Sequence, residues 1–275
     1  MKKSGFLIII INFLILTHIF SLDSKLNIEL LNQGNDLFQQ AVNIETSNPG
    51  EAQSLYEESL IRYLQIAEDI QNGKLFYNIG NIYFHLDDIG RAILFYKKAA
   101  LLMPGDSNLK ENLEAARALR VDTLNEKESI RILKTIFFIH YKLSTTVRAL
   151  LFVAFITFAW ISAVFLLFKK KIPSSLFQVF TSTTLVFAFL ALVFLGSIMI
   201  DTIKIQTHPE GVITADAVIA RKGDGLSYSP SFEDPLHSGL EFTLLDERTG
   251  WYYIEISDNT RTWIPANAAS LIVLN

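Results

Sequence analysis

The chain has 275 residues, no cysteine and a net charge of −4. Such a length holds one or two soluble domains beside any membrane segment, and the absence of thiols excludes disulfides, thiolate metal sites and a cysteine nucleophile. Acidic side chains outnumber basic ones 14 to 9 over 22–120 and 11 to 5 over 201–275, whereas 121–171 holds 3 acidic and 8 basic; acidic flanks repel phosphate backbones, so nucleic-acid binding is not expected, and the basic centre belongs beside a membrane.

Residues 1–21 read as a signal peptide. Lys2 and Lys3 form a basic n-region, and Phe6–Phe20 is an apolar stretch too short for an ordinary spanning helix. Residues 22–120 read as helical throughout: apolar residues recur at three and four, and Pro49 and Pro104 punctuate the pattern. A first helix carries Gly34 and Leu37. A second carries Ala52, Leu55, Ser59, Tyr63, Ile66 and Ile70 on one side, and the long spacing from Gly34 to Tyr63 implies a lengthened turn between them. The stretch 73–106 is the most patterned. Phe76, Ile79, Gly80 and Tyr83 are followed by Ala92, Tyr96, Ala99 and Pro104, alternating large, small and aromatic positions. It resembles a tetratricopeptide repeat, in which two antiparallel helices cross at the small residues and a proline ends the second. After it, Asp106 or Ser107 caps a further helix that buries Leu109, Leu113 and Ala116. In such repeats the first helix of each pair faces a groove, so Asn78, Asn81 and His85 are the expected partner-binding side chains.

Residues 121–146 form a juxtamembrane segment. Within it Ile132, Ile136, Phe137 and Ile139 alternate with Arg131, Lys134 and Lys142, as in a helix lying in the lipid interface. Two uncharged apolar stretches follow, expected as membrane helices over 147–168 and 176–200 and joined by a short loop, 169–175, with Lys169, Lys170 and Lys171. An export signal followed by two spans leaves the triple lysine in the cytoplasm and both soluble parts outside, as the positive-inside rule favours. Arg131, Lys134, Lys142 and Arg148 argue against it, but they are spread over 18 residues rather than clustered.

Residues 208–275 change to short β-branched and aromatic runs, expected as strands at 211–214, 217–221, 241–247, 251–256 and 261–265, with a polar loop over 222–239. Val218, Arg221, Gly223, Leu236, Gly239, Trp251, Ile254, Trp263 and Ile264 fall in an order similar to that of a bacterial SH3-like barrel; Thr262 stands where that family usually has glycine. The expected architecture is therefore a multidomain membrane protein: an all-α tetratricopeptide-repeat domain, a two-helix transmembrane hairpin and a small all-β SH3-like barrel.

No catalytic constellation is visible. The five histidines are scattered without metal-ligand spacing, and neither a phosphate-cradling glycine loop nor a nucleophile elbow is present. No enzyme activity, metal or cofactor is expected. The order of signal, repeats, "NLEAAR" at 112–117, basic linker, hairpin and barrel resembles the BatE type of Bacteroides aerotolerance operon proteins. That resemblance implies a non-enzymatic inner-membrane scaffold with both soluble domains periplasmic. Its partners would be proteins such as MoxR-type ATPases and von Willebrand factor A neighbours, its contact with lipid would be direct, and its role would lie in aerotolerance or stress response. The alternative is an envelope sensor or cell-wall-binding protein acting through the SH3-like domain.

Overall fold

In the computed structural model the described residues are 26–122, 142–167 and 173–274, the side chains of 204–206 apart. The expected signal peptide, most of the expected interfacial segment and the triple lysine lie outside them. The described chain divides into two compact units, Met1–Asp88 and Ile89–Asn275, and the division falls in the turn within the patterned stretch 73–106.

Among its described residues the first unit holds three helices. Helix α1 spans 26–44 and buries Leu30, Gly34 and Ala41 on one face. A four-residue turn, 45–48, leads to α2, Pro49–Asp69. Asn48 caps α2 reciprocally: its Oδ1 accepts from the Glu51 N–H at 3.4 Å, and its Nδ2 donates to Glu51 Oε2 at 2.7 Å. Pro49 takes the first helical position, where its missing N–H costs nothing. The long spacing from Gly34 to Tyr63 therefore arises from long helices, not from the lengthened turn expected. The buried stripe of α2 is Ala52, Tyr56, Ser59, Tyr63 and Ile66; Leu55 is only half-buried, and Ile70, beyond the last helical residue, is exposed. Helix α3, Gly73–His85, starts at Asn72, whose side chain accepts from the N–H groups of Lys74 and Leu75. Its C-terminal turn closes through Asp87 at φ 58°, a left-handed position that aspartate tolerates.

The second unit begins with α4, Ile89–Leu102, and α5, Ser107–Ala118. Asp106 is the cap of α5, accepting from the Leu109 N–H at 2.9 Å, and Leu109, Leu113 and Ala116 are buried as expected. Two helices long and apolar enough to cross a membrane follow: α6, Thr145–Leu166, and α7, Ser174–Thr207, of which Ser174–Ile203 forms the candidate span. At 1.5 Å per residue, the 22 residues of α6 reach about 33 Å, enough for a hydrocarbon layer of roughly 30 Å. The pair is antiparallel. Ala159 and Ala191 are buried along it, Phe165 stacks on Phe180 at 4.7 Å, Phe155 touches Phe187 and Phe194, and Ser162 Oγ donates to the Phe180 carbonyl at 2.9 Å. At its open end Arg148 is buried at 3% exposure. It donates to the Ser197 hydroxyl at 2.7 Å and pairs with Asp201.

The C-terminal part is an antiparallel five-stranded sheet of order β6-β5-β4-β1-β7 with a small two-stranded sheet, β2-β3, beside it. The strands are β1 Glu210–Ile213, β2 Ala217–Val218, β3 Leu236–His237, β4 Glu241–Arg248, β5 Trp251–Ile256, β6 Arg261–Pro265 and β7 Ala269–Leu271. Five overlap the expected runs, β2 only over Ala217–Val218 of the expected 217–221; β3 interrupts the expected polar loop and β7 was not expected. Alternate residues of β4 and β5, among them Phe242, Leu244, Ile254 and Ile256, face one core with Ile213, Leu240 and Ile264. Thr262 is fully buried in that region, and its hydroxyl donates to the Arg221 carbonyl at 3.0 Å and meets Ser231 Oγ at 2.8 Å. The departure from glycine is thus a side chain with a bonding role.

Candidate functional site

Within the first unit, α1 and α3 lie side by side and α2 runs behind both. Gly34 sets the approach of α1 to α2. Ser59 Oγ donates to the Gly34 carbonyl at 2.7 Å, and a Cβ at Gly34 would come within 3.2 Å of the Tyr63 ring. That ring directs its hydroxyl between the two front helices. The hydroxyl donates to Asn35 Oδ1 of α1 at 2.5 Å, with the Asn78 side chain of α3 near enough to lower its pKa. Burial pushes the Tyr63 phenol up, with the Asn78 bond opposing.

Two turns earlier on α2, Tyr56 stacks on the His85 ring at 4.8 Å, and Phe38 of α1 meets the same two rings at 5.6 and 5.7 Å. His85 Nδ1 is 2.9 Å from Glu45 Oε1 and 3.2 Å from the Tyr56 hydroxyl. Glu45, an acceptor only, takes a hydrogen bond from the imidazole beside the Tyr56 hydroxyl. Burial first, then the Glu45 carboxylate and its hydrogen bond, push the Tyr56 phenol well above its ordinary value. The floor of this seam is closed, with Tyr56 1% exposed, while its rim is open: the side chains of His85 and Glu45 are 30% and 41% exposed.

Of the three expected binding residues, Asn78 and His85 are drawn into this seam, and Asn81 lies half-buried on the same side of α3 by its spacing. Sequence reasoning missed Asn35, Phe38, Glu45 and Tyr56. Only Tyr56 carried a signal, in its seven-residue spacing from Tyr63. Of the repeat positions, Phe76, Ile79, Gly80, Ala92, Tyr96 and Ala99 are buried, Tyr83 and Pro104 are half-buried, and Pro104 follows the end of α4. The arrangement offers donors and acceptors beside aromatic edges, which suits an extended or helical polypeptide.

A second polar constellation lies in the other unit. Glu241, at the start of β4, accepts from Arg117 Nε at 2.7 Å and Nη2 at 2.8 Å, and from Arg120 Nη1 at 3.2 Å. Lys97 Nζ is 3.2 Å from Glu241 and donates to Glu210 Oε2 at 2.7 Å. Burial pushes the Glu241 carboxyl up, but the Arg117 hydrogen bonds and the Lys97 and Arg117 charges outweigh it and hold it at about 2. Burial likewise pushes Lys97 down, yet Glu210 and Glu241 leave it raised overall. On the sheet, Trp263 is stacked by Tyr253 at 4.8 Å and covered by Arg248, which Asp224 holds at 2.8 Å.

Among the described residues, no three histidine, aspartate or glutamate side chains come together as a metal-holding group. Compared with known families and with curated proteins, the sequence matches no family model and no protein.

Proposed function

We propose that the protein is a non-enzymatic membrane scaffold that holds a protein partner along the seam between α1 and α3. The observation that carries this reading is the open polar rim of Glu45 and His85 over a closed floor of Tyr56 and Tyr63, with Asn81 one turn before His85 on the same side of α3. Paired-helix arrays take up polypeptides on the surface formed by their first helices. In support, Gly80, Ala92 and Ala99 are buried on α3 and α4, as the repeat reading needs, and the C-terminal part is a small antiparallel sheet, with which an SH3-like barrel is compatible.

The apolar hairpin is the anchor. The triple lysine in its short loop favours a cytoplasmic turn; Arg148 on the outer flank is paired with Asp201 in the fold but still counts as a cation, since the rule weighs lysine and arginine rather than net charge. With the resemblance to BatE-type proteins, the lysine loop supports an inner-membrane protein with periplasmic soluble parts. Its partners are then envelope proteins such as MoxR-associated or von Willebrand factor A neighbours, in aerotolerance or stress response.

A photo-crosslinking residue at position 81, and another at the exposed Leu226 of the sheet, test the reading in native membranes. The expected result is a discrete protein adduct at 81 that is lost with His85→Ala. Adducts at 226 alone, with protein or with wall fragments, move binding to the sheet and replace the scaffold by the sensor reading.

A further inference from the structure

One face of α4 is committed to the sheet domain. Gly90, Ile93 and Lys97 recur at helical spacing on it, distinct from the repeat stripe of Ala92, Tyr96 and Ala99. Gly90 sits directly on the turn after β3: a Cβ there would run into Ser238 Oγ and come within 2.7 Å of the Ile213 carbonyl. The approach is reciprocal. Gly239, at φ +89°, leaves room for Arg120 and Ile93, and a Cβ there would stand 2.9 Å from Arg120 Cγ. Beside these contacts lies the carboxylate of Glu241 among Lys97, Arg117 and Arg120. Farther along, Asp122 accepts from the His237 backbone N–H at 2.6 Å and lies 3.1 Å from its ring Nδ1. Glycine on both surfaces, a shared carboxylate and a backbone bond make this a fitted seat rather than a chance contact.

We infer that the C-terminal sheet domain is the capping unit of the α4–α5 helix pair, latched by Glu241. Helix pairs of this kind have an apolar side that must be covered, by a further pair or by a dedicated cap. Here the sheet takes the place of the next pair and supplies carboxylates to the basic residues of α4 and α5. The cap's task is to end the array. The seat joins chain before the hairpin to chain after it, so it also holds both flanks of the hairpin on one side of a membrane. It stands independently of what the α1–α3 seam binds.

Hydrogen exchange on the full chain in detergent micelles tests it, with Glu241→Lys, the charge swap Glu241→Lys/Arg117→Glu, and Gly90→Val. The single variants are expected to speed exchange at least tenfold in α4, α5 and β1 while leaving α6 and α7 unchanged. The charge swap is expected to recover part of the protection, the share carried by Arg117, because Lys97 and Arg120 still face a cation; a merely misfolded sheet would recover none. Unchanged exchange in α4 and α5 in both Glu241→Lys and Gly90→Val would overturn the cap. So would a wild-type dimer that Glu241→Lys converts to a monomer, because a second copy's sheet would then occupy the seat.

Discussion

Acidification should loosen the helix–sheet seat through one carboxyl group. Glu241 goes from 4.5 in an open chain to about 2 in the fold, so the folded state is the weaker proton binder. The stability it contributes is therefore complete above about pH 4.5 and is lost as pH falls towards 2. At 1.36 kcal/mol per pH unit, the difference corresponds to about 3 kcal/mol, of which about 2 is lost by pH 3. Little of this is screened, because the side chain is only 21% exposed. The groups facing it are Lys97 of α4, Arg117 and Glu114 of α5, Arg120, and Glu210 of β1. Glu241→Gln keeps the shape and removes the charge. In thermal melts of the full chain in micelles, followed by the fluorescence of Trp251 and Trp263, it should lower the midpoint by roughly 6–12 °C at pH 7. The wild-type advantage should shrink steadily between pH 4.5 and 3. An advantage that stays flat across that range, or no advantage at pH 7, would refute the reasoning, since the carboxylate would then not be shared among the cations.

Gly80, buried in α3, should not accept a large side chain: Gly80→Leu is expected to cost about 1–3 kcal/mol by overpacking, and an unchanged melting midpoint would show that the position is not closely packed. Asp201→Leu strands Arg148 in the hairpin. Breaking a buried pair costs roughly 3–5 kcal/mol, less where the arginine can reach interfacial water, so unfolding of the hairpin in mixed micelles should shift by more than 1 kcal/mol; no shift would mean that the pair is already hydrated. For the proposed topology, a reporter active only in the periplasm should work when fused at Asn275 and fail at Ser174; the opposite result inverts the orientation.

The parts of this protein that were legible in its sequence are those encoded by neighbours along the chain. Uncharged runs mark α6 and α7, β-branched and aromatic runs mark five strands, and the side of α3 carrying Asn78, Asn81 and His85 follows from helical spacing. Local punctuation was ambiguous. Pro49 and Gly50 looked like the break of a lengthened turn, but with Asn48 as the cap they are the first positions of a helix, where proline serves as well as in a turn.

What only the tertiary structure decided are the meetings of distant polar groups. His85 finds Tyr56 at a separation of 29 residues and Glu45 at 40, Arg148 finds Asp201 at 53, and Arg117 finds Glu241 at 124. No periodicity carries such pairs, because a charged residue on a helix face reads the same whether it meets water or a carboxylate. Packing alone takes the water away, and only then must a partner be present. Arg148 shows the consequence: counted along the chain it is a free cation setting topology, and in the fold it is half of a buried pair.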